Sequence, residues 1–384
     1  MPQREDEAGQ PSARSIWVRL RNAIVHVLRC LFAFFFSSSH LRNRSPAREV
    51  VTEKQEARLL VLGASDTGKS TFMRQMQLLC GHGYPAPERL RHQPHIRRNL
   101  LESLHKLVSH LATYGAQPAT PEAREAAQAF LAWENLEGLL NLGALMDKTL
   151  IPKAQALWAD PGIQEVYRRR SDFHLVTNAD YFIACAERIL QDEYLPTVED
   201  ILRMRYVTRG VVEHRHELKD IIITMYDMGG QRPERENWAR QILDPSAILF
   251  LASLSEFDQN VEEATEEEAR NRMVESMEIF GEVLKYPAFQ NIPVILILNK
   301  NDVFRAKIKE VAIRQFFQDF VGPDYDERAG REYITNRYEQ ITRDHRRNIM
   351  VRYTEATDTG DFQDVFSFVS DFVSRFLLRR GALF

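Results

Sequence analysis

The chain has 384 residues, 44% apolar and 27% charged, which gives room for two ordinary domains and the composition of a globular protein, not a disordered one. A net charge of −4 excludes bulk affinity for nucleic acid, and only three widely spaced cysteines, Cys30, Cys80 and Cys185, exclude a disulfide framework or a zinc knuckle. A reducing compartment follows. No segment offers the roughly 20 uninterrupted apolar residues of a membrane-spanning helix; the closest, Ile24 to Phe36, is short and carries His26 and Arg29.

The first elements are basic. Arg14, Arg19, Arg21, Arg29, Arg42, Arg44 and Arg48 lie in a stretch without Asp or Glu. Between Ser15 and Leu31 the apolar residues Ile16, Trp17, Leu20, Ala23, Ile24, Val27, Leu28 and Leu31 recur at helical spacing, and Ser37 to Ser39 and Pro46 read as a break. A basic amphipathic helix beside Cys30 suits an anionic membrane surface with Cys30 as a palmitoylation site; a partner-binding or self-packing helix is the alternative. The acidic Glu5, Asp6 and Glu7 argue against a mitochondrial transit peptide.

From Arg58 the pattern becomes strand, loop, helix. Leu59 to Leu62 are apolar, Gly63 to Ser70 read GASDTGKS, and Phe72, Met73 and Met76 follow at helical spacing. The loop fits G-x-x-x-x-G-K-[ST] in the context that the motif requires. Backbone amides from Gly63, Ala64, Ser65, Asp66, Thr67, Gly68 and on to Thr71 would wrap phosphates, Lys69 would reach the outer ones, and Ser70 could offer its hydroxyl to Mg²⁺. Short apolar runs return at Ile221 to Tyr226, Ala247 to Ala252, Val294 to Leu298 and Met350 to Tyr353. They are separated by helix-length segments, which argues for a mostly parallel sheet covered by helices. Between about Gly81 and Leu202 the alternation stops, and Leu100, Leu101, Leu104, Leu107, Val108 and Leu111 open a helical section. An all-helical insert in an α/β domain is the natural reading.

Three more motifs follow strands. Asp227 to Gln231 read DMGGQ: an acid at a strand end can hold Mg²⁺ through water, Gly230 lets a backbone N–H approach a terminal phosphate, and Gln231 would orient an attacking water. Asn299, Lys300, Asn301 and Asp302 follow Leu298; a carboxylate such as Asp302 satisfies both donors on guanine's edge, selecting it over adenine. In the loop Thr354 to Thr359, small Ala356 can bring its amide to the guanine oxygen. Each motif alone is a weak signal, and each could be a plain turn; in this chain order they support one another. Glu262 to Glu268 is mostly acid, most simply a solvated helix face, and Phe362, Val365, Phe366, Val369, Phe372, Val373 and Phe376 mark one face of a last helix.

With these motifs in this order, the chain resembles a heterotrimeric G-protein α subunit from about Arg58 to Phe384. The run from Arg203 to Gly210 (RMRYVTRG), Gln231 to Trp238 (QRPERENW), Asn271 to Ser276 (NRMVES) and Tyr194 to Arg203 (YLPTVEDILR) carry the match. The resemblance implies a Ras-like P-loop GTPase domain, a mostly parallel six-stranded sheet flanked by helices, over 58–80 and 203–384. It further implies an inserted helical domain over 81–202, after an N-terminal extension over 1–57. It implies GTP hydrolysis to GDP with Mg²⁺ held by Ser70 and Thr208, and by Asp227 through water. Arg205 corresponds to the arginine that stabilises charge on the transferring phosphate, Gln231 is its catalytic companion, and Leu202 and Arg203 join the nucleotide-binding set. Partners implied are a βγ dimer, a G-protein-coupled receptor and an effector, with peripheral attachment at the cytoplasmic face of the plasma membrane. An ATPase or P-loop kinase fits Asn299 and Asp302 poorly; a slow or hydrolysis-deficient GTP-binding scaffold of the same fold is the alternative.

The chain departs from the family at several places. Ser65 replaces a loop glycine beside the γ-phosphate; Arg209 replaces the usual threonine; Glu355 replaces the usual cysteine beside the guanine site; Pro2 replaces the glycine that myristoylation requires. Pro233, Glu236 and Asn237 replace a serine and basic residues at the βγ contact, and the tail Gly381 to Phe384 lacks the cysteine of some members. A side chain at 65 crowds the space where Arg205 and Gln231 must converge on the transition state. Hydrolysis is therefore expected to be slower than is usual for the family, and Ser65→Gly is expected to accelerate it in a single-turnover assay. An unchanged rate would sink this expectation.

Overall fold

The structure is a computed structural model that describes residues 54–81, 83–132, 148–218, 221–235, 238, 244–261, 270–345 and 349–381. The basic segment with Cys30, the acidic run 262–268, Glu236, Asn237 and the tail beyond 381 lie outside the described residues.

Strand β1 (Gln55–Leu62) runs into the phosphate-loop motif and helix α1 (Lys69–Cys80). The helices α2 (Ala86–Ser109), α3 (Pro121–Leu131), α4 (Leu150–Ala159), α5 (Pro161–Arg168) and α6 (Val198–Arg203) follow, with two short helices, Ala179–Ala184 and Ala186–Ile189, between α5 and α6. The chain then returns to sheet with β2 (Val211–Glu217), β3 (Ile221–Met228) and β4 (Ala247–Ser253). It closes through α7 (Arg272–Lys285), β5 (Val294–Asn299), α8 (Asn301–Lys307), α9 (Glu327–Asp344), β6 (Ile349–Tyr353) and α10 (Thr359–Gly381).

Among the described residues the sheet has six strands in the order β2-β3-β1-β4-β5-β6, parallel except for β2 against β3. β4 and β5 are buried along their whole length, as the continuous apolar runs require of central parallel strands covered on both faces. Side chains of β1 alternate between two layers. Leu60 and Leu62 meet Phe280 of α7 and Tyr338 of α9; Leu59 and Val61 lie with Phe72 and Met76 of α1 and Phe362, Val365 and Val369 of α10. On α10 the stripe is therefore Phe362, Val365, Val369 and Val373, while Phe366, Phe372 and Phe376 flank it half-buried. β2 (VVEHRHE) has no apolar run to announce it, because it is an edge strand that pairs on one side only and keeps most side chains wet.

A second core is wholly helical. It runs from Tyr84 to Met204 and includes Leu100, Leu101, Leu104, Leu107, Val108 and Leu111, as their spacing predicts; among the described residues between 81 and 202 no strand occurs. The starts of α3 and α5 are capped by side chains. Thr120 Oγ1 accepts from Ala123 N at 3.1 Å. Buried Asp160 accepts from Gly162 N with one oxygen and from Ala119 N with the other, tying the start of α5 to the turn before α3. No helix among the described residues is long and apolar enough to cross a membrane.

The tightest polar knot of this helical core is Asp200, which is 0% exposed. Its carboxylate accepts from both Arg188 amino groups at 2.7 and 2.8 Å, from the Tyr181 and Tyr194 hydroxyls at 2.7 and 2.8 Å, and from Thr197 N at 2.7 Å. Asp200 N in turn donates to Thr197 Oγ1, completing a capping box at α6. Burial pushes the carboxyl up, but the Arg188, Thr197 and tyrosine hydrogen bonds outweigh it and hold the group well below the ordinary carboxylate range. Asp200→Ala is expected to destabilise the protein by about 2–4 kcal/mol in urea unfolding, because it leaves a cation and two hydroxyls without their acceptor. The depressed value sets the sign with pH. The stabilisation is fully present above the unfolded value of 3.8 and is lost as pH falls below it, so wild type and variant should converge in acid.

Candidate functional site

Parallel strands deliver their carboxyl ends to one edge of the sheet, where a ligand crevice forms in open α/β folds. Here the loops after β1, β3, β5 and β6 meet the residues that precede β2, and together they wall an open cleft of about 1170 Å³, its solvent-filled mouth included.

The phosphate loop is shaped by its two glycines, both at positive φ: 144° at Gly63 and 100° at Gly68. A Cβ on Gly63 would lie 2.2 Å from Leu251 O, and one on Gly68 2.1 Å from Asn299 Nδ2, so neither position admits a side chain. The loop ends at the N-terminus of α1, whose free amides favour an anion. Lys69 is buried, and its Nζ donates to Gly63 O at 2.9 Å and Ala64 O at 2.7 Å, folding back over the loop it belongs to. Burial pulls its ammonium down to about 8, with Asp227 and Asp66 acting against the shift. Thr67 Oγ1 braces the loop from within by donating to Ala64 O.

Three oxygen-bearing side chains meet beside Lys69. Ser70 Oγ and Thr208 Oγ1 lie 2.9 Å apart, and Asp227 Oδ2 accepts from Thr208 at 3.0 Å and from Ser70 at 3.4 Å. β3 extends through Asp227, so this carboxylate sits within the strand end, 3% exposed, and its Oδ1 is buried with no hydrogen-bond partner. Burial raises the carboxyl above its ordinary value, and Lys69 and the Thr208 hydrogen bond oppose that. Two hydroxyls and a carboxylate with an orphaned oxygen are the hard donors that Mg²⁺ takes, so the residues present fit this ion.

At the other end of the cleft Asn299 joins three loops. Its Nδ2 donates to Thr67 O at 2.9 Å and its Oδ1 accepts from Ala356 N at 3.1 Å, while Gln75 Nε2 of α1 donates to Ala356 O. Lys300 sits at φ 58° and its Nζ donates to Thr177 Oγ1 of the helical section. Asp302 and Ala356 are both on the wall. Beside Asp302, the Glu355 carboxyl is pushed up by burial and by the charges of Asp302, Asp358 and Asp361.

Arg205 faces the phosphate loop. Its Nε and Nη2 each donate to Asp66 at 3.0 Å, a bidentate pair at the positive-φ residue of the loop (φ 60°). Burial pushes Asp66 up, but Arg205 and then Arg272 hold it well below the usual carboxylate range. Arg272 Nη2 also donates to Ser65 O at 2.7 Å and to buried Glu256 at 3.0 Å.

Of the residues singled out in the sequence, Ser65, Asp66, Gly68, Lys69, Ser70, Thr71, Arg203, Arg205, Thr208, Gly230, Gln231, Asn299, Lys300, Asp302 and Ala356 line this one cleft. Gly63, Ala64, Thr67, Leu202 and Asp227 do not; they act from behind it through the hydrogen bonds given above, and Leu202 O accepts from Thr71 Oγ1 at 3.2 Å. Sequence reasoning missed Arg272, Glu256 and Arg74 as wall residues. Arg272 lay in plain view inside NRMVES; Glu256 and Arg74 belong to no motif. The segment after Gln231 has internal work of its own: Arg235 donates to Gly230 O and Glu275, Glu234 accepts from Gly210 N, and Trp238 Nε1 donates to Gly229 O. Arg209 is exposed and off the wall.

Gly68→Ala places a methyl group on the Asn299 amide and strains a left-handed backbone, at about 1–2 kcal/mol for the strain alone. Retention of guanine nucleotide by the purified variant is expected to fall at least tenfold, while the helical core unfolds at its normal pH and urea concentration. Normal retention would show that the Asn299 bridge does not govern the site.

The model of the G-protein alpha subunit family matches residues 37–373, well over half of the chain. The match begins upstream of the motifs and takes in every residue of the cleft. A Ras-like sheet, its helical companion and this cleft are thus accounted for together: the chain belongs to the G-protein alpha subunit family and is a guanine-nucleotide-binding signalling subunit.

Proposed function

We propose that the chain is a GTP-hydrolysing switch, slower than is usual for its family, that carries a signal from a G-protein-coupled receptor to an effector. The observation that carries this reading is the convergence of Lys69, Ser70, Thr208, Arg205 and Gln231 on one cleft whose far end holds Asn299 and Asp302, with Asp227 directly behind Ser70 and Thr208. Residues 58–80 and 203–384 form the Ras-like domain and 81–202 the helical one, a division supported by the separate helical core.

In this reading the loop amides and Lys69 bind the phosphates, exchanging the Gly63 and Ala64 carbonyls for phosphate oxygens. Ser70 and Thr208 would hold Mg²⁺, with Asp227 behind them through water, and the bound ion would supply positive charge against the phosphate oxygens. Asp302 accepts from guanine's two edge donors, and Ala356 N, which here donates to Asn299 Oδ1, turns its N–H towards the guanine oxygen when the base binds. Gln231 orients the attacking water. Arg205 leaves or shares Asp66 to reach the transferring phosphate, where a guanidinium spreads the developing charge. Loss of the terminal phosphate releases Thr208 and Gly230 and with them the segments that partners read. A βγ dimer reads Gln231 to Trp238, the receptor reads the C-terminal tail, and the basic N-terminal segment with Cys30 holds the chain at the cytoplasmic face of the plasma membrane.

A second reading, a GTP-binding scaffold with little hydrolysis, is favoured by one observation: Ser65 stands on the cleft wall with Arg205 and Gln231. GTP hydrolysis and GDP release measured on purified protein separate the two. The switch reading expects turnover that Arg205→Ala slows by about a thousandfold, a magnitude that comes from the Gα class itself. It also expects no competition by ATP. Tight ATP binding, or GTP held intact for hours by wild type, would overturn it.

A further inference from the structure

Across the end of α6 and the first residues after it, four successive carbonyls are each taken by a side chain. Leu202 O accepts from Thr71 Oγ1 at 3.2 Å, Arg203 O from Asn178 Nδ2 at 2.9 Å, Met204 O from Arg74 Nη1 at 2.6 Å, and Arg205 O from Asn99 Nδ2 at 3.2 Å. The donors alternate between α1 and the helical section. Asn99 does more than the others: its Oδ1 also accepts from Arg205 N at 2.7 Å. One carboxamide thus takes both the N–H and the C=O of Arg205, as a neighbouring strand would. The bonding fixes which end of the amide points where, since only Nδ2 can donate and only Oδ1 can accept.

Asn99 has little to gain locally. Asparagine is a poor residue for a helix interior, and Asn99 is 4% exposed in the middle of α2. Its flanking Ile96, Leu100 and Leu101 are fully buried in the helical core, so its backbone is held rigidly by packing. A buried amide with both polar atoms committed to one peptide is a positional constraint on that peptide. The peptide is that of Arg205, whose guanidinium reaches into the cleft.

We propose that Asn99 is a positioning residue for Arg205: the helical domain, through this one carboxamide, sets where the Arg205 guanidinium can act on the transferring phosphate. The inference rests on the reading of Arg205 given above. Asn99 touches no substrate. It fixes the Cα from which the arginine side chain swings between Asp66 and the phosphate, and misplacement of such a group by about 1 Å lowers a rate by up to about a hundredfold.

The test is single-turnover GTP hydrolysis by the full chain in wild type, Asn99→Leu, Asn99→Asp, Arg205→Ala and the double variant Asn99→Leu/Arg205→Ala, with affinity for a non-hydrolysable GTP analogue measured on each. Asn99→Leu is expected to slow hydrolysis by about tenfold to a hundredfold with analogue affinity within twofold of wild type, and to add nothing once Arg205 is alanine. Asn99→Asp keeps the acceptor and loses the donor, so it should fall between; it also carries the argument if the leucine variant fails to fold. Equal slowing by Asn99→Leu in the wild-type and Arg205→Ala backgrounds would overturn the proposal, since a structural role does not act through Arg205. So would undiminished hydrolysis by both Asn99 variants when Arg205→Ala is slow. If Arg205→Ala itself hydrolyses at the wild-type rate, the underlying reading of Arg205 falls, and this inference with it.

Discussion

The carboxamide of Asn299 is the constraint on which the cleft depends. One side chain at the end of β5 donates to the carbonyl of Thr67 in the phosphate loop and accepts from the amide of Ala356 after β6. Those three loops are far apart in sequence, and the bridge joins the phosphate loop to the ends of β5 and β6, which are tied to each other by Asn301 N on Thr354 O and to α1 by Gln75 on Ala356 O. Gly68 has no side chain because the Asn299 amide occupies that space. The bridge is buried, where an unmade hydrogen bond is expensive and a made one is little weakened by water. It sets the distance between the phosphate end and the base end of the site.

Around this fixed frame the charges are arranged in opposition. Lys69 and Asp227 are both buried close to one another, and each is shifted toward its neutral form by burial while the other pulls it back. Asp66 is the contrary case, a carboxylate kept ionised by Arg205 and Arg272. A phosphate entering the loop meets the Lys69 ammonium, which now donates to the Gly63 and Ala64 carbonyls, and two guanidiniums, Arg205 on Asp66 and Arg272 on Glu256 and the Ser65 carbonyl. These cations are already gathered at the loop, and binding exchanges their present acceptors for phosphate oxygens. The helical section takes part through Lys300 on Thr177 and through the side chains that hold residues 203 to 205.

The departures from the family pattern divide by position. Arg209 points to solvent, where a charge is screened and its effect is small. Ser65 and Glu355 are half-buried, and each stands next to a residue the chemistry uses: Ser65 by the Arg272 and Arg205 cluster, Glu355 beside Asp302. Glu355 gathers with Asp302, Asp358 and Asp361, whose charges add to burial in pushing its carboxyl up.

Much of this was legible in the amino-acid order, for a physical reason. Short apolar runs spaced by helix-length segments suit parallel strands, and GASDTGKS between strand and helix can hardly be anything but a phosphate loop, because those glycines answer to backbone conformations that other residues resist. Five of the six strands, the helical insert and most of the cleft wall followed from such local rules. β2 did not, since an edge strand with a wet face has no signature of its own. Neither did Glu256, Arg74 or Asn99. Their importance comes from what lies across from them, more than a hundred residues away in the chain for Arg74 and Asn99, and no local pattern records a contact of that kind. The sequence by itself determined the strands, the loops and the chemistry at their ends; only the tertiary structure decided that Arg205 is held by an asparagine from the helical domain, because that bond exists only when two separately packed cores are brought together.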